Sequence, residues 1–214
     1  MTTDPLLNIK AAARRFFHSA RGSHDWEHTL RVMRLCNSIG RPEGADMLVL
    51  EIAAYLHDIG RDHQDKSKGN LCHAKKSACM ALPLIQEVDI SQLQKENILH
   101  CIEAHRFREG PAPQTLEAKV LFDADKLDAI GAVGIARAYL FAGELGACLH
   151  NPNLAPEATQ AYSKNDTGYR EYIVKLSKVK DRMLTNIGKQ MAAERHAFMD
   201  TFFKRFLEEY DGKR

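Results

Sequence analysis

The chain has 214 residues, 44% of them hydrophobic and 27% charged, enough to bury a substantial core as one compact domain. A net charge of +2 gives no case for nucleic-acid binding by bulk electrostatics. The five cysteines are odd in number and lack a CxxC pair, so neither a disulfide framework nor a zinc ribbon is indicated, and they suit a reducing cytoplasm.

Apolar residues at helical spacing predict helices over residues 4–20, 25–39, 45–59, 72–87, 91–106, 115–129, 132–147 and a broken 166–210, while strand signals are scarce. The opening segment is expected to present Leu6, Leu7, Ile9, Phe16 and Phe17 as the buried stripe of a helix and has no long uncharged apolar stretch of the secretory kind. No segment approaches the roughly 18 consecutive apolar residues of a membrane span, so a cytoplasmic protein with no membrane partner is expected. His24 precedes the second helix, which carries Asp25, Trp26, Glu27, His28 and Arg31. Gly40-Arg41-Pro42 reads as its stop.

The third helix is the most informative. Met47 to Gly60 reads as a segment made for burial, yet it ends in His57-Asp58. An unpaired buried polar group costs roughly 2–7 kcal/mol and a charge costs more, so a shared divalent cation is an economical way to satisfy both side chains. Adjacent helical residues point about 100° apart and fill only part of a coordination shell, so further ligands must come from elsewhere in the chain.

After the pair, residues 61–70 read as an exposed polar loop, whose Arg61 is placed to meet a phosphate. His73 opens the next helix and His105 closes the one after it. The segment around Asp123, Asp125, Lys126 and Asp128 again sets carboxylates in an apolar helical pattern. Residues 148–168 are rich in Pro and Asn and read as a loop or flap. The C-terminal run places Tyr172, Leu176, Val179, Met183, Ile187 and Met191, then Phe198, Phe202 and Phe206, on an apolar series. Packing within the chain is the first reading of that stripe, a homodimer seam the second.

Three ordered segments, SHDWEHTLRV (Ser23 to Val32), HDIG (His57 to Gly60) and DADKLDAIGA (Asp123 to Ala132), together resemble the HD-domain superfamily of metal-dependent phosphohydrolases. The likeness is to its small stand-alone bacterial branch. The resemblance implies an all-α helical bundle with a C-terminal helical extension. Residues 1–150 would form the metal-binding domain, and residues 151–214 a flap and helices packed on it. It implies metal ligation by His28, His57, Asp58 and Asp125, with His24 and Asp128 as catalytic or supporting groups. Arg31, Arg61, His73, His105 and Lys126 would meet substrate phosphate, although some members of the superfamily use additional histidines to bind a second metal.

The cofactor expected from the resemblance is a divalent ion, Mn or Mg first, with Fe, Co, Ni or Zn as alternatives that mixed N/O ligands also accept. The chemistry follows from such a site: the cation acidifies a bound water and withdraws charge from a phosphoryl oxygen. No Gly-rich phosphate loop suggests ATP-driven work. The branch implies a nucleotide substrate, with activity like that of a nucleoside triphosphate pyrophosphatase. Cyclic-nucleotide or guanosine tetraphosphate hydrolysis and a non-catalytic metal-binding signalling module are the alternatives. Trp26 and Phe107 are placed to stack a base, with core burial the competing fate of Trp26.

Overall fold

The computed structural model describes residues 5–17, 25–67, 70–106 and 110–214, and every regular element among them is helical. His24, His18, Lys68 and Phe107 lie outside the described residues. The chain divides into two compact units, Met1–Asp125 and Lys126–Arg214. Among the described residues no helix is long and apolar enough to cross a membrane.

In the first unit, α1 (Pro5–Arg14) runs into a 3-10 turn (Arg15–Phe17) and is followed by α2 (Trp26–Glu43), α3 (Met47–Leu56), α4 (Arg61–Lys66), α5 (His73–Gln86), α6 (Gln92–Ala104) and α7 (Leu116–Leu127), whose last residues enter the second unit. The centre is α3, with Val49, Leu50, Ile52, Ala53, Ala54, Tyr55 and Leu56 all buried. Helices α1, α2, α5 and α6 pack against it, which explains why its apolar residues go all the way round rather than on one stripe. Local signals set the helix starts. Asp25 accepts from the His28 backbone N–H at 2.9 Å, Asp46 caps α3 through Leu48 and Val49, and Ser91 with Gln94 forms a capping box on α6. Buried Glu117 of α7 accepts from the Asp46 backbone at 2.8 Å and from Asn97 at 2.9 Å, which ties α7 to the start of α3 and the middle of α6.

Three expectations change in this unit. Of the opening stripe only Ile9 and Phe17 are buried, while Leu7 and Phe16 are exposed. Helix α2 does not stop at Gly40 but runs through Pro42 to Glu43, ending on Gly44 in the left-handed conformation (φ 82°). Gly40 serves packing instead: a Cβ there would lie 2.5 Å from the Leu50 side chain of α3. The polar segment after the HD pair is also not all loop, because residues 61–66 form the short helix α4, with i,i+4 ion pairs Arg61–Asp65 and Asp62–Lys66.

The second unit contains α8 (Gly131–Glu144), a 3-10 turn (Pro156–Ala158), α9 (Gly168–Val174), a 3-10 segment (Leu176–Arg182) and α10 (Asn186–Tyr210). The Pro- and Asn-rich stretch is tied down. Arg170 pairs with Asp166 at 2.7 Å and donates to the Thr159 carbonyl at 3.0 Å, and Asp166 accepts from the Tyr162 backbone at 2.6 Å. Tyr172, Leu176, Val179 and Met183 are buried as their spacing predicts, but on α10 the core face is Ala192, Met199 and Phe203. Phe198 is 48% exposed. The sequence stripe was one residue out of register there, and one residue is about 100° of helix rotation. Tyr172 fixes the register by stacking on Phe203 with ring centroids 4.3 Å apart.

Candidate metal centre

His57 and Asp58 lie just past the last turn of α3, where helix carbonyls have no helical donor. The His57 ring uses one of them, with Nδ1 2.7 Å from the Ala54 carbonyl oxygen. A carbonyl only accepts, so the ring proton is on Nδ1 and Nε2 is bare. Nε2 is buried and has no hydrogen-bond partner among the described residues. His105 follows the same geometry at the end of α6, with Nδ1 2.6 Å from the Ile102 carbonyl oxygen. His73, the first residue of α5, has Nδ1 2.8 Å from the side-chain oxygen of Gln64 on α4. The Nε2 atoms of all three rings thus face inward from helix ends.

The carboxylates complete two groups. His28, His57 and Asp125 each offer a ligand atom within 4.8 Å of the other two, and so do Asp58, His73 and His105. Asp58 faces both sets. Its Oδ2 lies 3.8 Å from His28 Nε2 and 3.9 Å from His57 Nε2, while its Oδ1 lies 3.3 Å from His73 Nε2 and 3.7 Å from His105 Nε2. His28 Nε2 is also 3.4 Å from Asp125 Oδ1. Ligands about 2.1 Å from a common ion stand roughly 3–4 Å apart, so these separations suit a shared cation.

Electrostatics agree with the geometry. Burial chiefly pushes the His57 imidazole down to about 4, against the opposing pull of Asp58. His73 is pushed down to about 3, again chiefly by burial; Asp58 opposes the shift, while His105, Arg61 and Arg106 add to it. Both rings are neutral near pH 7. The His73 and His105 Nε2 atoms are 3.1 Å apart. With Nδ1 of each ring engaged elsewhere, the two Nε2 atoms converge on the Asp58 oxygen, an arrangement that a divalent cation would satisfy. The donor set, imidazole nitrogen with carboxylate oxygen, therefore fits the metal that the sequence implies.

The other expected residues are placed as follows. Arg31 is half-buried on α2, three residues beyond His28, and Arg61 and Arg106 bring positive charge beside His73. Lys126 follows Asp125 on α7 and is half-buried. Asp128 is buried, and its carboxylate accepts from Arg137 at 2.6 Å in the second unit. Asp25 caps the α2 backbone, accepting from the His28 N–H. Trp26 stacks on Tyr55 at 6.0 Å. Gln64 carried no sequence signal, since its role depends on how α4 meets α5.

The HD domain family matches residues 25–130, which include both ligand groups. This chain belongs to the HD family, a class that includes solved HD-superfamily hydrolases such as one from Bacillus thuringiensis, 28% identical with a TM-score of 0.72 over 96% of each chain. The particular relative that stands near it is YpgQ of Bacillus subtilis, 32% identical over 199 residues, which are 88% of this chain and 85% of that protein. A crystal structure of YpgQ in complex with ADP superposes with a TM-score of 0.73 at 31% identity, covering 95% of this chain and 96% of that one.

Proposed function

We propose that this protein is a metal-dependent phosphohydrolase acting on a nucleotide, with His28, His57, Asp58 and Asp125 holding the catalytic divalent cation, Mn or Mg first among the candidates. The observation that carries this reading is the buried, bare Nε2 of His57 beside two carboxylates and a second imidazole. When bound, the cation supplies an acidified water and withdraws charge from the phosphoryl oxygen. The residues then have separate tasks. His28 and His57 present imidazole nitrogens, Asp58 and Asp125 present carboxylate oxygens, and Arg31, Arg61 and Lys126 are the candidates to neutralise the remaining phosphates.

A second reading concerns His73 and His105. A bare imidazole nitrogen and a phosphate oxygen both accept, so direct contact with substrate phosphate requires protonated rings, and burial opposes that at His73. The convergence of His73, His105 and Asp58 Oδ1 favours a second cation position instead.

The ADP bound to YpgQ supports a nucleotide rather than a sugar phosphate or lipid phosphate as substrate. The test is to strip the protein of metal, resupply Mn²⁺ or Mg²⁺, and screen nucleoside mono-, di- and triphosphates, cyclic nucleotides and guanosine tetraphosphate for phosphate or pyrophosphate release. Pyrophosphate from a nucleoside triphosphate is the expected product. Metal binding without turnover of any of these would return the protein to the non-catalytic signalling reading. Counting bound ions per chain separates one cation from two.

A further inference from the structure

Three of the four clustered histidines, His57, His73 and His105, differ in what holds their rings. His57 and His105 sit at helix C-termini, and each gives its Nδ1 proton to a carbonyl three residues earlier, an acceptor that the end of a helix always provides. His73 is the first residue of α5, and the first turn of a helix presents spare N–H groups rather than spare carbonyls. Its backbone surroundings therefore offer donors, which cannot receive a ring proton.

Gln64 supplies the acceptor. Its Oε1 lies 3.2 Å from the His73 backbone nitrogen and 2.8 Å from Nδ1. The backbone N–H must donate, so the atom it meets is the amide oxygen, and the ring nitrogen sharing that oxygen must carry a proton. One oxygen thus caps α5 and sets the tautomer of His73. Gln64 reaches it because the turn after the HD pair docks closely on α5: the Gly60 N–H donates to Ser77 Oγ at 2.9 Å, and a Cβ on Gly60 would lie 2.7 Å from the Ser77 backbone nitrogen.

We infer that Gln64 is a positioning residue that locks His73 in its Nδ1–H tautomer, so that a bare Nε2 faces Asp58 and His105. Without that acceptor the ring can carry its proton on Nε2. The proton would then point at Asp58 Oδ1, 3.3 Å away, and occupy the oxygen that a cation needs.

The consequence for metal rests on the cation reading of Asp58, His73 and His105, but the lock is read without any ion. In metal-free protein labelled with ¹⁵N-histidine, and assigned with His73→Gln, the His73 nitrogens should report a proton on Nδ1. Gln64→Glu keeps an acceptor and should keep that pattern. Gln64→Met removes the acceptor and should give mixed tautomers, while Gln64→Lys places a donor there and should reverse them. Mn²⁺ titration should then show affinity at this position about 10- to 100-fold weaker in Gln64→Met and near normal in Gln64→Glu, the range typical of groups that hold a ligating histidine. Unchanged His73 nitrogen shifts in either Gln64→Met or Gln64→Lys overturn the lock. Failure of the unaltered protein to bind Mn²⁺ at this position would instead overturn the cation reading and leave the lock standing.

Discussion

Asp58 occupies the position where one substitution reaches furthest, because one of its oxygens faces His28 and His57 and the other faces His73 and His105. Asp58→Ala removes a ligand from both groups but no packing of consequence, since α3 buries its apolar residues upstream of it. Far-ultraviolet circular dichroism should therefore keep its helical signal while metal content and hydrolysis are lost. The expected loss exceeds the roughly 100-fold upper range for residues that only support a ligand. Near-normal turnover in this variant would remove Asp58 from the centre. The same burial predicts a pH response. His57 and His73 are held at about 4 and about 3, and His150 is also lowered by burial, so all three bind protons more readily unfolded than folded. Their contribution to stability is complete above the unfolded value near 6.5 and declines as pH falls from there toward 4. Thermal melts of the metal-free protein should show a falling Tm across that window. A Tm that stays level would mean that the rings take up protons equally in the folded and unfolded states.

At the scale of elements, the glycine of HDIG is set by contact rather than by backbone conformation. Gly60 has φ −90°, which any residue adopts, but an added Cβ would lie 2.7 Å from the Ser77 nitrogen and 2.9 Å from the His73 carbonyl oxygen. Backbone cannot yield as a side-chain tip can. Gly60→Ala should force α4 away from α5 and destabilise by about 1–3 kcal/mol, the usual cost of overpacking, read as a lower urea midpoint at unchanged slope. It should also weaken metal binding through His73. The long helices and the HD pair were legible in sequence because burial leaves a periodic apolar record and a polar interruption in it stands out. Helix α4 was not legible, since six polar residues carry no apolar period and its order comes from ion pairs and from docking on α5. The α10 face was misread for a related reason. Phe198, Phe202 and Phe206 are spaced like a stripe, but the register was decided by the stacking of Tyr172 on Phe203, a contact that sequence does not display. Gln64 shows the same limit, lying nine residues from the ring it holds in a stretch with no periodic signal.

At the scale of the molecule, all six residues of the two groups, His28, His57, Asp58, His73, His105 and Asp125, belong to the first compact unit. They come from the ends or last turns of separate helices, so an unfolded chain scatters them and only the folded unit offers the complete set. An ion that binds the folded form alone stabilises it by about 2.7 kcal/mol at a free concentration 100 times its dissociation constant. Mn²⁺ should therefore raise the Tm, chelator should reverse the rise, and Asp58→Ala should abolish it. Hydrogen exchange locates the effect. Added Mn²⁺ should slow exchange in segments of α2, α3, α5, α6 and α7, where the ligands are anchored. Helices α9 and α10 contribute no ligand to either group, and their amides should change little. Protection confined to α9 and α10, with none around His57, would place the ion elsewhere in the chain and refute a centre built from these side chains.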